Sequence, residues 1–322
     1  MAANRDKPDR WKTDIARSVD MYNDWFMNFA PKAFRTTRVE TTKEVEKTLP
    51  ATDNLTNVQP DILKQDPGIL PTLRMSTCPP LAVDRLIGLA GVPPNLVKRM
   101  EKEHKMPVRM PQAQLDAELR KIGAIIEKMA DPDIFVWLGR SKPPEKVEIH
   151  RAATIVADRL CGSVANPIIR NAQEKRQLEA IKSWLEWRGY RYLPPGDAAK
   201  FGTMPGGTFS FRMNVPVELE GGVKRVNIPI DALIMPKAKG KGKGDFPVFI
   251  EAKSAGDFTN VNKRRKEEAM KMAQLRKTYG EKVKFNLFLC GYFDSGYLGY
   301  EAAEGIDWVW EHRIDDLEQL GI

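Results

Sequence analysis

Cysteine and histidine are both scarce in this chain, three of each in 322 residues. Cys78, Cys161 and Cys290 stand far apart without CxxC spacing, and no histidine cluster accompanies them. A disulfide framework and a zinc site are therefore not expected, and a reducing compartment suits the chain. His104, His150 and His312 are isolated from one another and read as non-catalytic. Long apolar runs are missing too. The longest candidates, such as residues 285–293, have the length of a strand, well short of the roughly 20 residues a membrane-spanning helix needs. Residues 1–10 are polar and charged and lack the apolar stretch of a secretion signal, so the expected location is cytoplasmic, with no membrane partner. What the chain has instead is 42% apolar and 29% charged residues, a folded composition, at a length that allows one large domain or two ordinary ones. It also has an excess of positive charge: 51 Lys and Arg against 43 Asp and Glu, a formal +8. Such an excess suits either a nucleic-acid partner or a merely soluble basic surface, and its position along the chain decides which.

No internal repeat is present, and the one low-complexity stretch is the lysine-glycine run at residues 237–244. Two textures divide the chain. Residues 1–160 read as helices separated by proline-rich turns, a largely α-helical N-terminal region. The spacing predicts a helix over 11–29, with a stripe at Ile15, Val19, Tyr22, Trp25 and Phe26. A short helix over 42–49 follows, with Thr41 or Thr42 available as its cap. Residues 81–89 and 94–100 form a helix pair, with Arg85, Lys98 and Arg99 on its surface. The pair has the size of a helix-turn-helix, but a plain helical hairpin is the reading that its pattern favours. Further helices are expected at 115–129 and 148–160. From 161 to 322 the order is helix (171–188), strand (208–219), strand (223–235), strand (246–252), helix (259–279) and strand (283–290). A last strand is expected at 308–310 and a closing helix at 314–320. The Glu220-Gly221-Gly222 turn between two alternating runs marks a hairpin.

Asp231 lies on the second of these strands, after Pro229 and Ile230, and Glu251-Ala252-Lys253 ends the third. Both carboxylates sit in apolar strands, where an ionised group is costly unless something offsets it. Glu251 and Lys253, two apart, project from one face of the strand, and Ala252 from the other. If the two strands are neighbours, Asp231 stands beside Glu251 and the two repel. A divalent cation removes that repulsion, and a hard, all-oxygen site favours Mg²⁺. The competing reading is a structural salt bridge of Lys253 with Glu251 or Asp231.

This is the PD-(D/E)XK pattern, and the chain resembles that nuclease superfamily in motif, spacing and strand order. The resemblance implies an α/β fold, a mixed central sheet flanked by helices. The superfamily often adds an acidic residue from the helix before the first strand. Here Glu174 continues the buried stripe back from Leu178, while Glu179 points about a quarter turn away. Glu174 is the better candidate for facing the metal, although serving the dipole of its own helix is an equal alternative. A Gln on the helix after the lysine strand recurs in relatives of this fold, and Gln274 stands there. Longer strings are similar to the XamI family of type II restriction endonucleases. They are Asp14-Ile-Ala-Arg-Ser-Val-Asp-Met-Tyr-Asn-Asp-Trp-Phe-Met-Asn-Phe-Ala-Pro31, residues 73–80 with 84–90, and residues 251–260 with 262–268. That likeness implies Mg²⁺-dependent, sequence-specific hydrolysis of double-stranded DNA at a short palindrome by a homodimer. A cognate DNA methyltransferase in the same host is implied as well. In such an enzyme Asp231, Glu251 and the Ala252 carbonyl would hold the metal and Lys253 would orient the attacking water, leaving 5′-phosphate and 3′-hydroxyl ends.

The charge falls where this reading needs it. Residues 237–277 hold twelve Lys and Arg and five Asp and Glu, an excess of seven out of the chain's eight. Lys263, Arg264, Arg265 and Lys266 stand near the start of the helix after the lysine strand, beside Asn260 and Asn262, a setting that suits a phosphate backbone. Lys239 and Lys241, in the loop between the two acidic strands, either sweep over the same groove or belong to a solvated turn. Two other functions fit the same features: a structure-specific or repair nuclease, and a non-catalytic DNA-binding protein on a nuclease scaffold.

Overall fold

Helices run further in this protein than its prolines suggest. In a computed structural model that describes residues 2–196, 203–218, 225–237, 246–259 and 261–322, apart from the side chains of 262–264, the two N-terminal helices expected at 11–29 and 42–49 are one, α1 (Pro8–Ala51), with Pro31 inside it. There follow α2 (Pro60–Gln65), a single 3₁₀ turn (Pro67–Ile69), α3 (Leu70–Met75), α4 (Val83–Ala90), α5 (Pro94–Glu103) and α6 (Gln112–Met129). The helices expected at 148–160 and 171–188 are also one, α7 (Lys146–Trp187), with Pro167 inside. A proline within a helix deletes a single backbone donor, and here the helical hydrogen bonds of the turns before and after it carry the helix on.

The chain forms two compact units, Met1–Phe29 with Arg170–Ile322, and Ala30–Ile169. The sequence places one cut at residue 160; the structure instead joins the first 29 residues to the later half. The reason is visible at Asp307, a buried carboxylate. Its Oδ1 accepts the backbone N–H groups of Asn4, Arg5 and Trp308, each at 2.9 Å, and its Oδ2 accepts that of Ala3.

The unit Ala30–Ile169 is helical. In α6, Leu115, Leu119, Ile122 and Ile126 recur on one buried stripe, and Gly123 allows close approach: a Cβ there would lie 2.3 Å from the Val58 carbonyl oxygen. The helix pair α4 and α5 stands where the sequence predicts it and packs Leu86, Leu96, Val97 and Met100 into the same core. Of its surface cations, Arg99 pairs with Glu103 at 3.0 Å. Arg74 is buried and grips Glu101 with two hydrogen bonds, 2.6 and 2.8 Å.

The other unit is mixed α/β. Among the described residues its strands are β1 (Arg191–Tyr192), β2 (Thr208–Glu218), β3 (Arg225–Met235), β4 (Val248–Ala255), β5 (Lys284–Gly291) and β6 (Asp307–Trp310), in one sheet of that spatial order. β2, β3 and β4 are antiparallel neighbours, whereas β1 with β2, β4 with β5 and β5 with β6 are parallel. Helix α8 (Val261–Tyr279) connects β4 to β5, and α9 (Ser295–Ala303) connects β5 to β6. The sequence reading has no counterpart of α9, whose two glycines obscure it, although a parallel pair of neighbours requires such a crossover. It begins at Asp294, whose side chain accepts the Tyr297 N–H at 2.7 Å. The closing segment is 3₁₀ rather than α-helical, Glu311–Leu320. Side chains of the central strands alternate between two cores. Phe249, Leu287 and Trp308 meet Met272 and Leu275 of α8, and Ile250, Phe288 and Val309 meet Ile181 and Leu185 of α7. With both faces covered, the strands are apolar almost throughout. No helix among the described residues is long and apolar enough to cross a membrane.

Candidate active site

The ladder between β2 and β3 has one gap. Phe211 pairs with Ala232 and Met213 with Ile230, but Arg212 and Asp231, which lie between them, are skipped. Arg212 has φ +52°, a left-handed conformation that L residues other than Gly, Asn and Asp rarely adopt. The alternation inverts across it. Phe209 and Phe211 face the core built on α7, while Met213, Val215 and Val217 face the opposite one. On β3 the same inversion separates Ile230 from Ala232 and Ile234. Irregularities of this kind re-aim a side chain, and here the side chain at the break is Asp231.

Between β3 and β4 the ladder ends at Ala232 opposite Ile250, so Asp231 and Glu251 stand one step beyond it. Asp231 Oδ2 accepts the Ala252 N–H at 2.9 Å. Glu251 is 5% exposed. Its Oε1 accepts from Lys253 Nζ at 3.1 Å and from Lys271 Nζ at 2.6 Å, while its buried Oε2 has no hydrogen-bond partner among the described residues. Burial, and after it the Glu251 charge, pushes the Asp231 carboxyl up to about 6, against the opposing pull of the Ala252 N–H and Lys253. For Lys253 burial disfavours the charge, but Glu251 and Glu268 outweigh it and hold the ammonium above its ordinary range. Gln177 of α7 secures the end of the strand: its Nε2 donates to the carbonyls of Lys253 and Phe288, at 3.3 and 3.1 Å, and its Oε1 accepts from Ser254 Oγ at 3.0 Å. Gly291 closes β5 at φ +103°, where a Cβ would lie 2.1 Å from the Ala255 carbonyl oxygen at the end of β4.

Asp231, Glu251, Ala252 and Lys253 line one cleft of about 330 Å³, and Glu174 of α7 lines it with them. Glu174 Oε1 accepts from Arg212 Nε and Nη2 at 3.1 and 2.8 Å, so the residue opposite Asp231 also holds the third carboxylate. Glu179 is exposed, 3.8 Å from Lys182, and does not line this cleft. Neither does Gln274. Among the described residues no group of three or more His, Cys, Asp or Glu is set to grip a metal. What converges is a pair of carboxylates with Ala252 beside them. One oxygen is buried without a donor, and Lys271 stands on the other as a cation already drawn to the site. That donor set fits a hard divalent cation.

Lys271, Gln177 and Arg212 were not singled out in the sequence. Lys271 sits in a run that reads as a solvated basic face, yet it lies three residues after Glu268 and one before Met272, both buried. That offset puts it at the edge of the buried stripe of α8. Among the basic candidates, Arg265 lies over the Tyr300 ring at 3.6 Å and Lys266 is exposed. Asn260, Lys239 and Lys241, the Glu220-Gly221-Gly222 turn, and the side chains of Asn262, Lys263 and Arg264 lie outside the described residues. None of the three histidines lines the cleft; His312 bonds Asp14 at 3.3 Å.

The family profile described as XamI restriction endonuclease matches residues 53–310, a span that holds Glu174, Asp231, Glu251 and Lys253. The chain belongs to the XamI restriction endonuclease family. It is a type II restriction endonuclease, an enzyme of the site-specific deoxyribonuclease class. The type II restriction enzyme SalI of Streptomyces albus G is 52% identical to this endonuclease over 318 residues, 99% of each chain. A solved structure, protein VC1899 from Vibrio cholerae, matches 80% of the endonuclease and 55% of its own chain at 15% identity. Its TM-score is 0.27, too low to bear on the fold.

Proposed function

We propose that this endonuclease hydrolyses double-stranded DNA at a short palindrome in a Mg²⁺-dependent reaction, on a PD-(D/E)XK core whose site is the β3–β4 cleft. The observation that carries the reading is the meeting of Asp231 and Glu251 at the point where the two strands stop pairing, with Lys253 alongside. Asp231, Glu251 and the Ala252 carbonyl would hold Mg²⁺, with Glu174 as the additional carboxylate. When bound, the ion supplies a Lewis acid for the phosphate and cancels the carboxylate repulsion. Lys253, fixed by Glu251, presents its ammonium to the water that attacks phosphorus and to the charge gathering on the non-bridging oxygens. The bond to the 3′ oxygen breaks opposite the incoming water, leaving 5′-phosphate and 3′-hydroxyl ends. Lys263, Arg264, Arg265, Lys266, Asn260, Asn262, Lys239 and Lys241 are the proposed contacts to the DNA backbone.

A palindrome is read by two copies related by a two-fold axis, so the active species is a homodimer, with base contacts and dimerisation drawn from the helical region 1–160. A DNA methyltransferase in the same host would protect the cognate site in the cytoplasm where both act. The test is digestion of a sequenced plasmid by wild type and Asp231→Ala, with and without Mg²⁺. Discrete fragments from wild type with Mg²⁺ alone support the proposal. Equal cutting by both proteins, or none by either, removes the site assignment.

A further inference from the structure

Besides Glu251, Lys253 approaches a more deeply buried carboxylate, and a further one lies on the next helix. Glu268 of α8 is 1% exposed and Glu301 of α9 is fully buried. Glu268 Oε1 stands 3.7 Å from Lys253 Nζ, and its Oε2 accepts the Tyr297 hydroxyl at 2.7 Å. Neither oxygen of Glu301 receives a hydrogen bond from any nitrogen or hydroxyl among the described residues. Burial first, and then the charge and hydrogen bond of Glu268, raise the Glu301 carboxyl to about 9. Arg265 and Glu304 are the other charged groups acting on it.

We propose that Glu268 is a positioning residue for the active-site lysine, holding Lys253 with one oxygen while Tyr297 holds Glu268 itself in place through the other. Lys253 is thus suspended between Glu251, which faces the cleft, and Glu268, which does not line it. A carboxylate whose second oxygen is committed to Tyr297 has little rotational freedom, so the ammonium it holds has little either. The inference deepens the nuclease reading and rests on the role given there to Lys253.

The test combines single-turnover cleavage of a plasmid that wild type cuts with the rate of reductive methylation of Lys253 at one fixed pH, read by peptide mass spectrometry. Glu268→Gln is expected to slow cleavage about tenfold or more while plasmid affinity stays within about twofold, the split expected of a group that acts only in the chemical step. Lys253 should be methylated at least about fivefold faster once one of its two carboxylates is gone. Wild-type cleavage together with unchanged Lys253 reactivity in Glu268→Gln overturns the clamp. If Glu268→Gln does not fold, Tyr297→Phe carries the same test: faster methylation of Lys253 supports the clamp and an unchanged rate overturns it. Lys253→Ala separates the two levels. If it cuts like wild type, the nuclease reading itself fails; if it is inactive while Glu268→Gln is normal, only the clamp fails.

Discussion

Replacing Asp231 with asparagine should stabilise the protein and stop it cutting. The side chain keeps its size, and its Oδ1 still accepts the Ala252 N–H, but its charge is gone. The folded-state value of about 6 lies above the ordinary 3.8, so the contribution of this group is fully present below 3.8 and is lost as pH rises through 6. About 2 units at about 1.4 kcal/mol each put the loss near 3 kcal/mol at neutral pH. Asp231→Asn should recover about 2–3 kcal/mol at a pH of about 7.5, and Tm should rise by about 4–10 °C. At a pH below about 4 the gain should vanish, because the wild-type carboxyl is then protonated in both states. Adding Mg²⁺ should narrow the gap, since the ion relieves the repulsion only in wild type. Urea denaturation at the two pH values, with and without Mg²⁺, provides the assay. A variant no more stable than wild type near neutrality, or a gain that persists in acid, refutes the picture of two mutually repelling carboxylates.

Two other substitutions probe the supports. At Arg212 the left-handed backbone tolerates glycine but not a β-branched residue, so Arg212→Val should lose about 1–3 kcal/mol more stability than Arg212→Gly in thermal or urea melts. Both should cut more slowly than wild type, because each frees Glu174 from its two hydrogen bonds. In the helical unit, Arg74→Ala strands the Glu101 carboxylate, 9% exposed at its side chain, and should cost about 3–5 kcal/mol. By comparison Lys47→Ala, which removes a solvent-screened pair with Asp66, should leave the midpoint of the same denaturation curve nearly unchanged.

Much of the sheet was legible because strands covered on both faces announce themselves as short apolar runs between breakers, as at 246–252 and 283–290. The two acidic residues stood out against exactly that apolar background. Helix ends are obscured for a local reason: Pro31 and Pro167 look like stops, yet α1 and α7 run through them. Arg212 gave no cue, since neither glycine nor asparagine marks its left-handed turn. Glu268 and Lys271 were hidden in a charged run whose composition resembles a solvated face, although their spacing from Met272 and Leu275 sets them at the buried side of α8. The third segment missed, the attachment of residues 3–5 to Asp307, joins positions three hundred residues apart and leaves no periodic trace.

The most direct measurement of the central claim is the end-labelled cleavage pattern of one sequenced plasmid, digested in Mg²⁺ by wild type and by Glu251→Gln. The account predicts that wild type yields one discrete set of fragments, each with a 5′-phosphate and a 3′-hydroxyl, and that Glu251→Gln, folded and still able to bind DNA, cuts at least about 10²-fold more slowly. Fragments of the same pattern and rate from Glu251→Gln would contradict it, because the chemistry would then lie outside the β3–β4 cleft.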